Sequence, residues 1–220
     1  MRNRFERQLQ KLHDDLVEMG AFIETTIDKT MSAFRTNNYE FAREVYENDD
    51  IADELEAKIE RRSLRILLFQ QPVARDLRII SAAFKMITDM ERICDLAKNI
   101  AETVLSFEGK EFIKKPDSIL QMSDKCVIMV NKAIEAFIKS DLELAKMVIS
   151  MDNEVDELYW EIRRSLEQFA AETQNPSSVM QAMDFVMVSK HLERMADHGV
   201  NIAEWVVFSI TGHHKDKVLL

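Results

Sequence analysis

The sequence predicts an all-α fold, a tandem repeat of two antiparallel three-helix bundles, and three observations predict it. Only 4 Gly and 3 Pro occur in 220 residues, so turns are few, helices long and sheet all but absent. Apolar residues recur at steps of three and four over long stretches, the period of an amphipathic helix. The same landmarks then return 102 to 104 residues further on, which marks a duplicated unit.

The first helix carries its seam at Phe5, Leu9, Leu12, Leu16, Met19, Ile23, Ile27, Met31 and Phe34, and Thr36-Asn37-Asn38 breaks it. A second pattern runs from Phe41 through Val45, Ala52, Leu55 and Ile59 toward Phe69. Gln70-Gln71-Pro72 ends it, since proline suits a helix start and not an interior. A third pattern begins at Val73 and passes through Leu77, Ile80, Phe84, Ile87, Cys94 and Ala97 to about Val104. Three long helices with short connections form an antiparallel bundle. Residues 1–108 are the first unit and 109–116, with Gly109 and Pro116, the linker. Residues 117–212 are the second unit, in which Ala136-Phe137 answers Ala33-Phe34, Asp152 answers Asp49, Pro176 answers Pro72 and Glu193 answers Glu91.

Composition narrows the function. Hydrophobic residues at 46% and charged residues at 31% describe a chain with a core, far from disorder. The net charge of −10 argues against nucleic acid, which calls for a basic footprint. Two cysteines without metal spacing, Cys94 and Cys126, suit a reducing compartment. No apolar h-region opens the chain and no apolar run nears 18 residues, so neither a signal peptide nor a membrane span is expected. The Arg2, Arg4, Arg7, Lys11 group is read as a solvated helix end, with a membrane surface or acidic partner as the alternative. HExxH, GxxxxGK[ST], GxGxxG, GxSxG and the Glu-x-x-His of four-helix di-iron proteins are all missing.

The acidic residues are more informative. ERICDLAKNIAE (residues 91–102) and ERMADHGVNIAE (193–204) share seven of twelve positions. Each stacks two acids one helical turn apart, an arrangement that is repulsive by a few tenths of a kcal/mol. Scattering 39 acids over 220 positions gives about seven such pairs by chance, so the recurrence is the signal. Asp49/Asp53 and Asp152/Asp156 repeat on the second helices, and Glu91/Asp95 and Glu193/Asp197 on the third. Folding back at Gln70-Gln71 puts Asp49 opposite Arg92, and the second hairpin puts Asp152 opposite His198. Each hairpin thus gathers four carboxylates within about one helical pitch, ~5.4 Å, on a face flanking the core. Hard cations prefer such oxygen ligands. The alternative is a solvated acidic face screened by Arg92 and Arg194. His198 is either a further ligand or a surface histidine, and His213-His214 are expected in a disordered tail.

These motifs, together with QQPVARDLR (70–78) and WVVFSITGHH (205–214), resemble the PhoU family of regulators of bacterial phosphate uptake, over nearly the whole chain. The resemblance implies a duplicated three-helix-bundle fold and a homodimer. It implies multinuclear clusters of metal ions, iron or zinc, held by paired E(D)xxxD motifs: Asp49, Asp53, Glu91 and Asp95 in one unit, Asp152, Asp156, Glu193 and Asp197 in the other. It further implies a non-enzymatic, cytoplasmic negative regulator of the phosphate-starvation response. That regulator links the ATPase subunit of a phosphate ABC transporter to a sensor histidine kinase and meets the membrane only through partners. An accessory of another phosphate carrier and a carboxylate-bridged metal enzyme are the alternatives. The second unit departs from the family pattern by lacking the Asp-Leu-Arg element. Arg75-Asp76-Leu77-Arg78 is therefore either a partner surface of the first unit alone, or a helix cap with a salt bridge.

Overall fold

A computed structural model describes residues 2–110, 113, 115–215 and 217–218. Its first half holds α1 (Arg2–Thr36), α2 (Tyr39–Glu47), α3 (Asp50–Gln70) and α4 (Arg75–Ser106). Its second half holds α5 (Asp117–Lys139), α6 (Leu142–Glu172) and α7 (Pro176–Thr211). Of the expected linker, residues 111, 112 and 114 lie outside the described residues. Among the described residues no helix is long and apolar enough to cross a membrane.

Caps repeat along with the helices. The Asn38 side chain accepts the Glu40 and Phe41 amides at the head of α2, and Asp141 accepts those of Glu143 and Leu144 at the head of α6. Each satisfies two otherwise orphaned donors. Pro176 opens α7 behind an Asn175 cap. Gly212 closes it at φ 83°, with its amide on the Phe208 carbonyl at 2.8 Å, a left-handed step that glycine takes without strain.

The second helix of the first unit is not continuous. It breaks between α2 and α3 at Asn48-Asp49, where three-residue turns (Ile51 to Asn48, 3.2 Å; Ala52 to Asp49, 3.0 Å) replace the helical pattern. Neither Gly nor Pro marks the break, so the apolar period runs straight through it. Its counterpart α6 is unbroken from Leu142 to Glu172.

The two halves share one core. Helices α4 and α7 pack antiparallel at the centre, and α1 also meets α5. The seam of α1 is buried as its period predicts, from Leu12 to Phe34. Phe34, Phe107 and Phe185 interlock edge to face, with ring centres 6.1 and 5.8 Å apart, and bring α1 and α4 against α7. Cys94 and Cys126 are buried free thiols.

The tail departs from expectation. His213-His214 (β1) pairs antiparallel with Lys217-Val218 (β2), giving a two-residue ladder. His214 lies on Trp205, with ring centres 3.9 Å apart, so the stretch read as a disordered tail is held by aromatic packing against α7.

Candidate functional site

In the first unit Asp49 stands at the head of α3 and Asp53 in its first turn, while Glu91 and Asp95 lie one turn apart on α4. All four carboxylates act on the buried Cys94 thiol, whose pKa burial raises first and then Asp49, Glu91, Asp95 and Asp53 raise further. All four therefore lie on the α3–α4 side of Cys94. The register differs by about a turn. Asp49 meets Lys98 rather than Arg92, and Glu56 meets Thr88 at 3.1 Å. The cause is the connection: residues 71–74 lie outside both helices, which moves the fold-back point beyond Gln70-Gln71.

The acids flank the core, and two of them more deeply than a surface patch would. The Glu91 and Asp49 side chains are 13% and 18% exposed, Asp95 36%. Glu91 is pushed up to about 7 by burial first, then by Asp95, with Arg92 opposing and Glu56 and Asp53 adding. Arg92 donates to Asp95 at 2.7 Å and reaches Glu91 at 3.4 Å, the screening expected of it. Glu56 is an addition that the motif spacing did not single out.

The second unit repeats the patch with different cations. Asp152 and Asp156 on α6 face Glu193 and Asp197 on α7. Asp197 is pushed up to about 6 by burial, then by Glu193, Asp152 and Asp156, against Lys190. Asp197 remains partly open to solvent, and the like charges around it add to the effect of burial. Asp152 is raised by burial, then by Asp156, Glu193 and Glu204. Lys190, and not Arg194, donates to Glu193, at 2.5 Å. Arg194 instead acts on His191, whose pKa burial lowers first. Glu204, the last letter of the repeated NIAE, is a fifth acid here and lies 3.0 Å from Lys215.

His198 is not a ligand of this patch. Its Nδ1 is 2.9 Å from Asp89 Oδ1 of the other half, and Asn201 donates to the same oxygen at 3.1 Å. Among the described residues no three His, Cys, Asp or Glu side chains converge closely enough to hold a metal ion. The carboxylates instead reach for Arg92, Lys98 and Lys190. The donor chemistry nevertheless fits a hard cation: an all-oxygen set, partly withdrawn from water, in which burial first and mutual repulsion second raise Glu91 and Asp197.

Fold and site together define a class, that of duplicated helical-bundle proteins with one acidic patch per repeat. The PhoU domain matches this chain twice, at residues 16–104 and 119–206. The chain belongs to the PhoU family. It is 37% identical over 188 residues to the phosphate-specific transport system accessory protein PhoU homolog of Aquifex aeolicus, covering 86% of this chain and 84% of that one. It is 33% identical to the Clostridium acetobutylicum homolog over 213 residues, 96% of each chain. The crystal structure of PhoU from Pseudomonas aeruginosa superposes with a TM-score of 0.90 at 30% identity, covering 95% of this chain and all of that one.

Proposed function

We propose that this chain is a non-enzymatic accessory protein of a phosphate-specific transport system. The observation that carries the reading is the match to the Clostridium acetobutylicum accessory protein over 96% of both chains, which leaves no large segment of either outside the comparison. In this reading the protein is a cytoplasmic homodimer and a negative regulator of the phosphate-starvation response, standing between the transporter's ATPase subunit and a sensor histidine kinase. Deleting its gene should switch on phosphate-starvation genes in phosphate-rich medium. Unchanged expression of those genes would refute the regulatory role.

The two carboxylate patches supply the second part of the proposal. Asp49, Asp53, Glu91 and Asp95 hold metal ions in the first unit, and Asp152, Asp156, Glu193 and Asp197 hold them in the second, with iron or zinc as the ions. A bound cation offsets the repulsion within each patch and draws its carboxylates away from Arg92, Lys98 and Lys190. Support comes from the raised Glu91 and Asp197, acids held partly out of water and then pressed further by neighbouring carboxylates.

A further inference from the structure

The turn between α3 and α4 is unlike the rest of the surface. Leu68, Phe69 and Val73 are 74%, 73% and 72% exposed, the most exposed large apolar side chains among the described residues. Water contact on that scale by three neighbouring apolar residues marks an interaction surface. The turn itself is held in an uncommon shape, with Gln71 and Ala74 both at φ 47°. Ala74 supplies no side-chain cap to α4, and Asp76 is the acid of its first turn.

Charge identifies what covers it. The start of α1 lies against the end of α3, where Arg4, Gln8, Arg65, Phe69 and Gln70 line one groove. Arg4, Arg65 and Arg75 are exposed beside the apolar tip. Residues 2–11 and 60–78 contain nine Lys and Arg against three Asp and Glu, a local +6. The chain as a whole carries −10, so the remainder carries −16. The corresponding turn of the second unit, Thr173-Gln174-Asn175-Pro176-Ser177, is polar and uncharged. A hairpin end with exposed apolar points beside three arginines matches an anionic bilayer, whose boundary takes the apolar groups while its phosphates take the guanidiniums.

We propose that the α3–α4 turn docks directly on an anionic lipid surface. Leu68, Phe69 and Val73 enter the headgroup–acyl boundary, and Arg4, Arg65 and Arg75 engage lipid phosphates. The −16 remainder is repelled by the same surface, which favours contact through this tip over contact through the carboxylate patches. Contact with a membrane is then the chain's own property, in addition to any contact through partners.

The test is flotation of the purified full chain with phosphatidylglycerol vesicles and, separately, phosphatidylcholine vesicles. Binding to the first alone is expected, weakening as salt is raised. The exposed double substitution Leu68→Glu/Phe69→Glu should lower that binding by on the order of tenfold or more, and Arg65→Glu/Arg75→Glu by several-fold. Because Cys94 and Cys126 are buried, a Phe69→Cys variant can carry an environment-sensitive dye at the tip, whose emission should shift to the blue on phosphatidylglycerol vesicles. No binding, equal binding to both lipids, or a dye that stays in water would overturn the proposal. So would a double variant that keeps full vesicle binding yet loses self-association or capture of an acidic protein partner, which would make the tip a protein interface.

Discussion

His198 of α7 lies 2.9 Å from Asp89 of α4 across the join between the two halves, and Asn201 donates to the same carboxylate oxygen at 3.1 Å. Asp89 is only 15% exposed and His198 19%. Replacing Asp89 by Ala strands both partners at the interface. The expected loss is about 1–3 kcal/mol, read from equilibrium urea unfolding. Unfolding unchanged from the parent protein would mean the contact contributes nothing to holding the halves together.

The approach of α1 to α5 rests on a glycine. A Cβ built at Gly20 falls 2.7 Å from the Cγ2 of buried Ile134, whereas one at Gly199 meets Val130 no closer than 3.6 Å. Gly199→Ala should therefore stabilise α7 by up to about 1 kcal/mol through helix propensity. Gly20→Ala should destabilise on balance, since overpacking costs about 1–3 kcal/mol and outweighs the same gain. Paired thermal melts decide the point, and the reverse order would contradict the close approach.

Acid pH should favour the metal-free fold. Glu91 holds its proton in the native state up to about pH 7, while the unfolded chain releases it near 4.5. Between those values the folded state binds more protons, so stability falls as pH rises, by on the order of 1–3 kcal/mol in total. Glu91→Gln should flatten that slope when unfolding is measured in chelator at several pH values. Equal slopes for parent and variant would assign the dependence elsewhere.

How much of this the sequence carried depends on which interactions are local. The duplication, the seam of α1 and the two acid pairs on α4 and α7 were legible because each lies within one helix, where spacing fixes the face. The break at Asn48-Asp49 was not, because no Gly or Pro punctuates it and the apolar period passes through undisturbed. The one-turn register shift arose from residues 71–74 leaving the helix, a matter of turn shape. The bond from His198 to Asp89 was not legible, because Asp89, 109 positions away, is brought against it only when α4 packs on α7. His214 was misplaced for a different reason: its partner Trp205 is near in sequence, but the turn of the chain at Gly212 is what stacks them.

Residues that hold positive charge against the patches give a further expectation. Lys98 bonds Asp49 while also lying 5.4 Å over the Tyr46 ring, and Lys190 bonds Glu193 while lying 5.2 Å over Tyr159. Each competes with a cation for its carboxylate. Lys98→Met and Lys190→Met should each tighten metal binding to their own patch several-fold, read by titration against a competing chelator, at about 1 kcal/mol per cation removed. Weaker binding in either variant would make that lysine a support of the site rather than a competitor.

The central claim is that each repeat holds its own cations through four carboxylates. Elemental analysis of the natively purified protein beside a Glu91→Ala/Asp95→Ala variant tests it most directly. The account predicts bound metal in the parent and roughly half as much in the variant, with the second patch still occupied. Equal and near-zero metal in both proteins would contradict it and leave the repeated motifs as surface acids.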